Sequence, residues 1–199
     1  MSNKSNNISI KRIVLIALMT AIICVISPFA IAIPVSPVPV SLATFAIYIT
    51  LIILGQCDGT ISVIVYVLLG FAGAPVFTGF TAGVGKVLGP TGGYIIGYIF
   101  LAIVEGIFVE RARITRSYKG SQARPYEKAS VTVFFGMLLG TVVLYLFGTL
   151  WLARQANMSL VAAFTVGVFP FIIGDVVKML VALFLGTKIR KALIKNNLI

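Results

Sequence analysis

Phe169-Pro170-Phe171-Ile172-Ile173-Gly174-Asp175-Val176-Val177-Lys178 places two opposite charges inside a long apolar run. An ionisable side chain at the centre of a bilayer costs roughly 2.5 to 3.5 kcal/mol on insertion scales, so charges persist there only with a partner or a task. On a helix Asp175 and Lys178 share one face. Phe171, Gly174, Ala182 and Leu185 fall on that face as well, forming a stripe about 100° wide that should turn away from lipid. Two readings follow. The pair is either a ligand site offering one acceptor and one cation, or an internal ion pair that fixes helix packing.

Working outward, composition sets the class. Apolar residues make up 59% of the 199 residues, and the mean hydropathy is +1.09, against about 45 to 50% apolar in soluble proteins. This is the signature of a polytopic membrane protein. A span needs about 20 apolar residues, so the chain has room for at most about six or seven and for no soluble catalytic domain beside them. The net charge of +11 would suggest nucleic acid as partner in a soluble protein. Here the cations sit at the ends of apolar runs and report topology.

The apolar runs predict an all-α fold in one integral membrane domain, 1–199, with six transmembrane helices over about 10–33, 40–54, 60–75, 92–109, 129–152 and 160–187. The first run also imitates a secretory signal, with a basic start and Ala30-Ile31-Ala32 as a small-residue cleavage site near Ile33, but it is long enough to span. Pro34, Pro37 and Pro39 make the first connection rigid and extended. Residues 55–59 read as a tight turn. The second and third spans are short, as spans that line cavities often are. Residues 76–91, rich in Gly and closed by Pro90, read as a loop folding back over a site. Trp151 suits a membrane interface.

Charge asymmetry gives the orientation. One side collects Lys4, Lys11 and Arg12, then Arg111, Arg113, Arg116, Lys119, Arg124 and Lys128, then Lys188, Arg190, Lys191 and Lys195. The other has Lys86 and Arg154. Both termini are therefore expected in the cytoplasm.

Other motifs exclude more than they assign. Gly85-Lys86 lacks the flanking residues of a phosphate-binding loop, since Phe80 and Val87 stand where Gly and Ser or Thr are needed. There is no His, and Cys24 and Cys57 have no metal-ligand spacing, so neither a metal site nor a disulfide framework is expected and the cysteines read as packing residues. No nucleophile stands beside a base, so no enzyme is expected. Small-residue pairs at Ala17/Ala21, Gly93/Gly97 and Gly136/Gly140 let helices approach closely; the first could face outward as a docking surface. Tyr94, Tyr98 and Glu105 share a face, with Glu105 near the cytoplasmic end, where it could reach water or an Arg.

Four strings carry a resemblance: Ser36-Pro37-Val38-Pro39-Val40-Ser41, Ala74-Pro75-Val76-Phe77-Thr78-Gly79-Phe80, Gly89-Pro90-Thr91-Gly92-Gly93-Tyr94 and Gly174-Asp175-Val176-Val177-Lys178. In this order among six spans, the chain resembles the BioY family, the biotin-specific S components of energy-coupling-factor (ECF) vitamin transporters. The glycine-rich third string is the most specific. Ala43 departs from the family pattern, which often carries Gln there.

The resemblance implies a plasma-membrane, multi-pass biotin-capturing subunit energised by a separate transmembrane coupling protein and two ABC-type ATPases, with biotin as cargo and no cofactor. It implies docking through Ala17 and Ala21. Biotin's fused rings and thioether call for apolar and aromatic walls, its ureido N–H groups for a carboxylate or carbonyl, its valerate for a cation or water. The expected site is Asp175 at the ureido end, Lys178 orienting Asp175 or meeting the ligand, Phe77, Thr78, Gly79 and Tyr94 as walls or hydrogen-bonding groups, and the Pro-rich first connection with Leu42 closing the outer side, with Lys178 or Lys86 to neutralise the valerate. The competing function is a stand-alone secondary transporter or channel using Asp175 as a proton relay. A structural membrane protein with no ligand is the third possibility.

Overall fold

Apolar runs punctuated by Gly and Pro fold into helices whose ends fall at those residues. The computed structural model describes residues 10–31, 37–118, 127–196 and 198. Along the chain come α1 (Ile10–Ile26), a strand β1 (Ala30–Ile31), a strand β2 (Val40–Ser41), α2 (Ala43–Leu54), α3 (Gln56–Phe71) and the short α4 (Val84–Leu88). Then follow α5 (Gly92–Tyr118), α6 (Glu127–Gln155), α7 (Leu160–Gly167) and α8 (Ile172–Lys195). Each range read from the sequence as a span holds helix. Among the described residues, Gly92–Arg113, Ser130–Gln155 and Leu160–Lys195 are long and apolar enough to cross a membrane, while α2 and α3 are shorter apolar helices.

Several expectations change. The first span was expected to reach 33, but α1 ends at Ile26, where Pro28 prevents continuation. The chain then forms β1, antiparallel to β2 with Ala30 opposite Ser41 and Ile31 opposite Val40. The fold is thus mostly helical with a small hairpin. The second helix correspondingly begins at Ala43 and not at 40. The predicted turn over 55–59 shrinks to Gly55 alone (φ 93°), after which α3 starts at once. A side chain at Gly55 would also collide with the Arg113 guanidinium. The last predicted span is broken: Phe169–Phe171 forms a 3-10 turn between α7 and α8, because Pro170 removes a helical N–H and its ring crowds the preceding turn.

Residues 76–91 do fold back. Phe77 and Thr81 exchange backbone hydrogen bonds, Gly79 N–H donates to the Pro28 carbonyl at 2.8 Å, and Gly83 N–H donates to the Gly70 carbonyl at 2.7 Å. The loop includes α4, which the glycine content had concealed. Trp151, expected at an interface, donates its indole N–H to the Gly89 carbonyl of this loop at 2.9 Å.

The α5–α6 pair is the broadest packing surface. Gly93 and Gly97 face Trp151 and Leu144, and Gly136 and Gly140 face Phe108 and Leu101, so missing side chains on each helix admit bulky ones from the other. At the opposite end from the returning loop, basic residues tie the bundle together. Arg12 donates to Asp58 at 2.6 Å, Arg113 to the Leu54 carbonyl at 3.0 Å, and Arg190 to the Ile52 carbonyl at 2.9 Å. Arg113 and Arg190 bring charge to the C-terminal end of α2, where the helix dipole and unpaired carbonyls call for it, while Arg12 meets the Asp58 carboxylate in the first turn of α3. The polar stretch 1–9, the candidate cleavage position near 33, Ser36 of the first family string, and Lys119 and Arg124 lie outside the described residues.

Candidate functional site

The break at Pro170 starts a new helix within the apolar run, and Asp175 falls in its first turn. A carboxylate there is favoured by the positive end of the helix dipole. Its side chain is 7% exposed; one oxygen accepts from Lys178 Nζ at 2.8 Å and the other from the Tyr145 hydroxyl. Lys178 Nζ also donates to the Ser41 carbonyl at 2.7 Å and lies 3.5 Å from Thr44 Oγ1. An ammonium has three N–H donors. Lys178 uses them to tie α8 to the hairpin and α2.

Around this pair lies a narrow chamber of about 50 Å³. Ser41, Thr44, Val38 and Pro39 line it from the hairpin side and α2, Tyr66 from α3, and Phe77, Thr78 and Lys86 from the returning segment. Tyr94, Ile95 and Tyr98 of α5, Leu144 and Tyr145 of α6, and Phe171 of the 3-10 turn complete it. The walls are mainly aromatic. Phe77 meets Tyr66 edge-on, ring centroids 5.8 Å apart, and Tyr66 bonds the Ser27 hydroxyl. Tyr94 lies against Gly148 and Gly167 and donates to the Gly167 carbonyl at 2.9 Å. Only glycine at those positions leaves room for the ring.

A larger cavity of about 640 Å³ runs between α6, α7 and α8, with Leu146, Val161, Phe164 and Ile172 among its walls. It is almost wholly apolar and touches the polar pair only along the Asp175 and Tyr145 edge. The smaller chamber is the candidate site, because hydrogen-bonding groups from seven elements converge there.

The structure therefore brings together Asp175, Lys178, Tyr94, Phe77, Thr78 and Lys86. Gly79 and Leu42 stand outside the lining. Gly79 occupies a left-handed turn (φ 74°) and holds the loop to Pro28, while Leu42, 40% exposed, precedes α2. Phe80 points outward onto Phe29. Leu185 leaves the inward stripe at 38% exposed, and Met179 takes its place at 1%, because Asp175, Met179 and Ala182 follow the buried line of α8 more closely. Glu105, expected near a helix end, is fully buried because α5 continues to Tyr118; neither carboxyl oxygen has a partner among the described residues.

Tyr145, Tyr66 and Thr44 escaped the sequence reading. Tyr145 stands four residues after Thr141, and both polar tips lie on one face of an apolar helix; that spacing was the available signal. Ala17 and Ala21 are exposed, in line with Val14, Leu18 and Val25, at 57%, 54% and 66%. This face of α1 has no partner within the described residues.

Apolar helices closing over a polar and aromatic chamber define a substrate-binding membrane subunit. The chain belongs to the BioY family, whose model matches residues 1–195. It is 33% identical over 180 residues to the probable biotin transporter BioY of Pyrococcus horikoshii, covering 90% of this chain and 96% of that one. It is 31% identical over 191 residues to the biotin transporter BioY2 of Lactococcus lactis, covering 96% of each. A crystal structure of the S-component for biotin from an ECF-type ABC transporter matches with a TM-score of 0.80 at 31% identity, over 94% of both chains. The chain is accordingly a multi-pass cell-membrane protein of a transporter family and not an enzyme.

Proposed function

We propose that this chain captures biotin for an ECF-type importer, with a separate coupling protein and two ABC-type ATPases supplying the energy. The observation that carries the reading is the Asp175–Lys178 pair, fixed at 2.8 Å, at the edge of an aromatic chamber in a chain whose relatives are named biotin transporters. Asp175 accepts the ureido N–H groups. Tyr66, Phe77, Tyr94, Tyr98 and Phe171 wall the fused rings, and Thr78 supplies a hydroxyl. Leu42 and Gly79 act from outside the lining, by placing the hairpin and the returning loop.

Lys86 is the group that meets the valerate. Its ammonium makes no hydrogen bond or ion pair among the described residues, whereas Lys178 already has Asp175, Ser41 and Thr44 as neighbours. Lys178 thus orients Asp175.

We further propose six membrane spans with both termini cytoplasmic, α7 and α8 together making the last. The contacts of Arg12, Arg113 and Arg190 support it by drawing the start of α1, the α2–α3 junction and the ends of α5 and α8 to one side. Ala17 and Ala21, on the open face of α1, dock the coupling protein. Equilibrium titration of the purified protein with biotin tests the central reading: saturable binding is expected, and an analogue lacking the ureido group should fail to compete. Equal competition by that analogue would remove Asp175 from the ligand.

A further inference from the structure

The chamber and the apolar groove share two lining residues, Asp175 and Tyr145. The hydrogen bond from the Tyr145 hydroxyl to Asp175 therefore forms the partition between a space of about 50 Å³ and one of about 640 Å³. Sites for ligands of biotin's size run from about 300 Å³ upward, so a wall of the chamber must retreat when the fused rings enter. Tyr66, Phe77, Tyr94, Tyr98 and Phe171 are buried in the core, and close packing behind a ring leaves it nowhere to go. Behind Tyr145 lies the groove.

The hydroxyl can follow the ring without losing a partner. Thr141, one turn earlier on α6, also lines the groove; its Oγ1 donates to the Met137 carbonyl at 2.8 Å and accepts from the Tyr48 hydroxyl at 2.6 Å. A threonine hydroxyl has two lone pairs, so one remains to accept from Tyr145. Long side chains on a helix lean towards the preceding turn, the side on which Thr141 stands. At Asp175 one oxygen accepts from Lys178 and the other from Tyr145, so a ureido N–H can replace the tyrosine O–H one for one. We infer that Tyr145 is a displaceable wall: in the empty site its hydroxyl occupies the Asp175 oxygen that a ureido N–H then takes, and its ring swings into the groove to enlarge the chamber. The inference rests on the reading of the chamber as the biotin site, and adds to it an exchange of donors that a rigid site would lack.

Calorimetric titration with biotin, paired with thermal melts in its presence and absence, tests the exchange. Tyr145→Phe keeps the ring and removes the bond that must break, so biotin should bind about fivefold more tightly, the worth of one hydrogen bond. Its thermal midpoint should fall in the empty protein and match wild type at saturating biotin, whereas a hydroxyl with a merely structural role would lower both alike. Val142→Phe fills the groove from an exposed position one turn from Tyr145 and should weaken biotin about tenfold, as overfilling a packed space does. If Val142→Phe does not fold, Tyr145→Phe decides alone. Unchanged or weaker biotin binding by Tyr145→Phe, equal losses of midpoint with and without ligand, or undiminished affinity in a folded Val142→Phe overturns the inference while leaving the biotin reading intact. Absence of biotin binding by wild type would overturn that reading, and this inference with it.

Discussion

Three influences hold Asp175 in place within an apolar run: the ammonium of Lys178 at 2.8 Å, the Tyr145 hydroxyl, and the first-turn position in α8. Replacing it by Asn keeps the shape but removes the charge that strengthens bonds to ligand N–H groups, a loss of about 2 kcal/mol. Isothermal titration should therefore show biotin affinity about thirtyfold weaker in Asp175→Asn. In the same titrations Lys86→Met should weaken biotin about tenfold, the loss of one charge-assisted bond, yet leave the affinity for biotin amide unaltered. If biotin and its amide respond alike, Lys86 does not meet the carboxylate. The charged pair was visible in the sequence, since two charges in such a run demand an account. Tyr145 was not, because one hydroxyl in an apolar helix does not say which way the helix is turned.

At the scale of elements, the interrupted last span is the feature on which the site depends. An unbroken helix would leave Asp175 in mid-ladder, without the dipole of a helix start. Pro170 announces that break in the sequence, but the length and apolarity of the run outweighed it in the reading of a single span. The glycine-rich segment between α3 and α5 was legible as a returning loop, because so much Gly with Pro disfavours a long helix. Its short α4 and its backbone ties to Pro28 and Gly70 were not, since they depend on distant carbonyls. On α1, Ala17 and Ala21 belong to an exposed apolar face while Met19, Thr20 and Ile23 are buried. Leucine at both alanines should spare biotin binding by the isolated protein and abolish co-purification with the coupling protein. Loss of biotin binding instead would assign the pair to internal packing.

At the scale of the whole molecule, the sequence yielded the class and the approximate helix ranges, because apolar length and the placement of Lys and Arg are properties of segments. The hairpin between β1 and β2 and the convergence of arginines on the end of α2 are properties of packing, and neither has a local signature. Orientation is open to direct measurement. Cys57 is exposed at the end of the bundle bound by Arg12 and Asp58, so a membrane-impermeant maleimide should leave it unmodified in intact cells and label it in inside-out vesicles. Labelling in intact cells would reverse the topology.

An experimental structure of the protein saturated with biotin bears most directly on the central claim. The account predicts ligand density in the chamber between α5, α8 and the returning loop, with the ureido nitrogens within hydrogen-bonding distance of Asp175 and the carboxylate near Lys86. Density in the apolar groove between α6 and α8, with the chamber empty and the Asp175–Lys178 pair undisturbed, would contradict it.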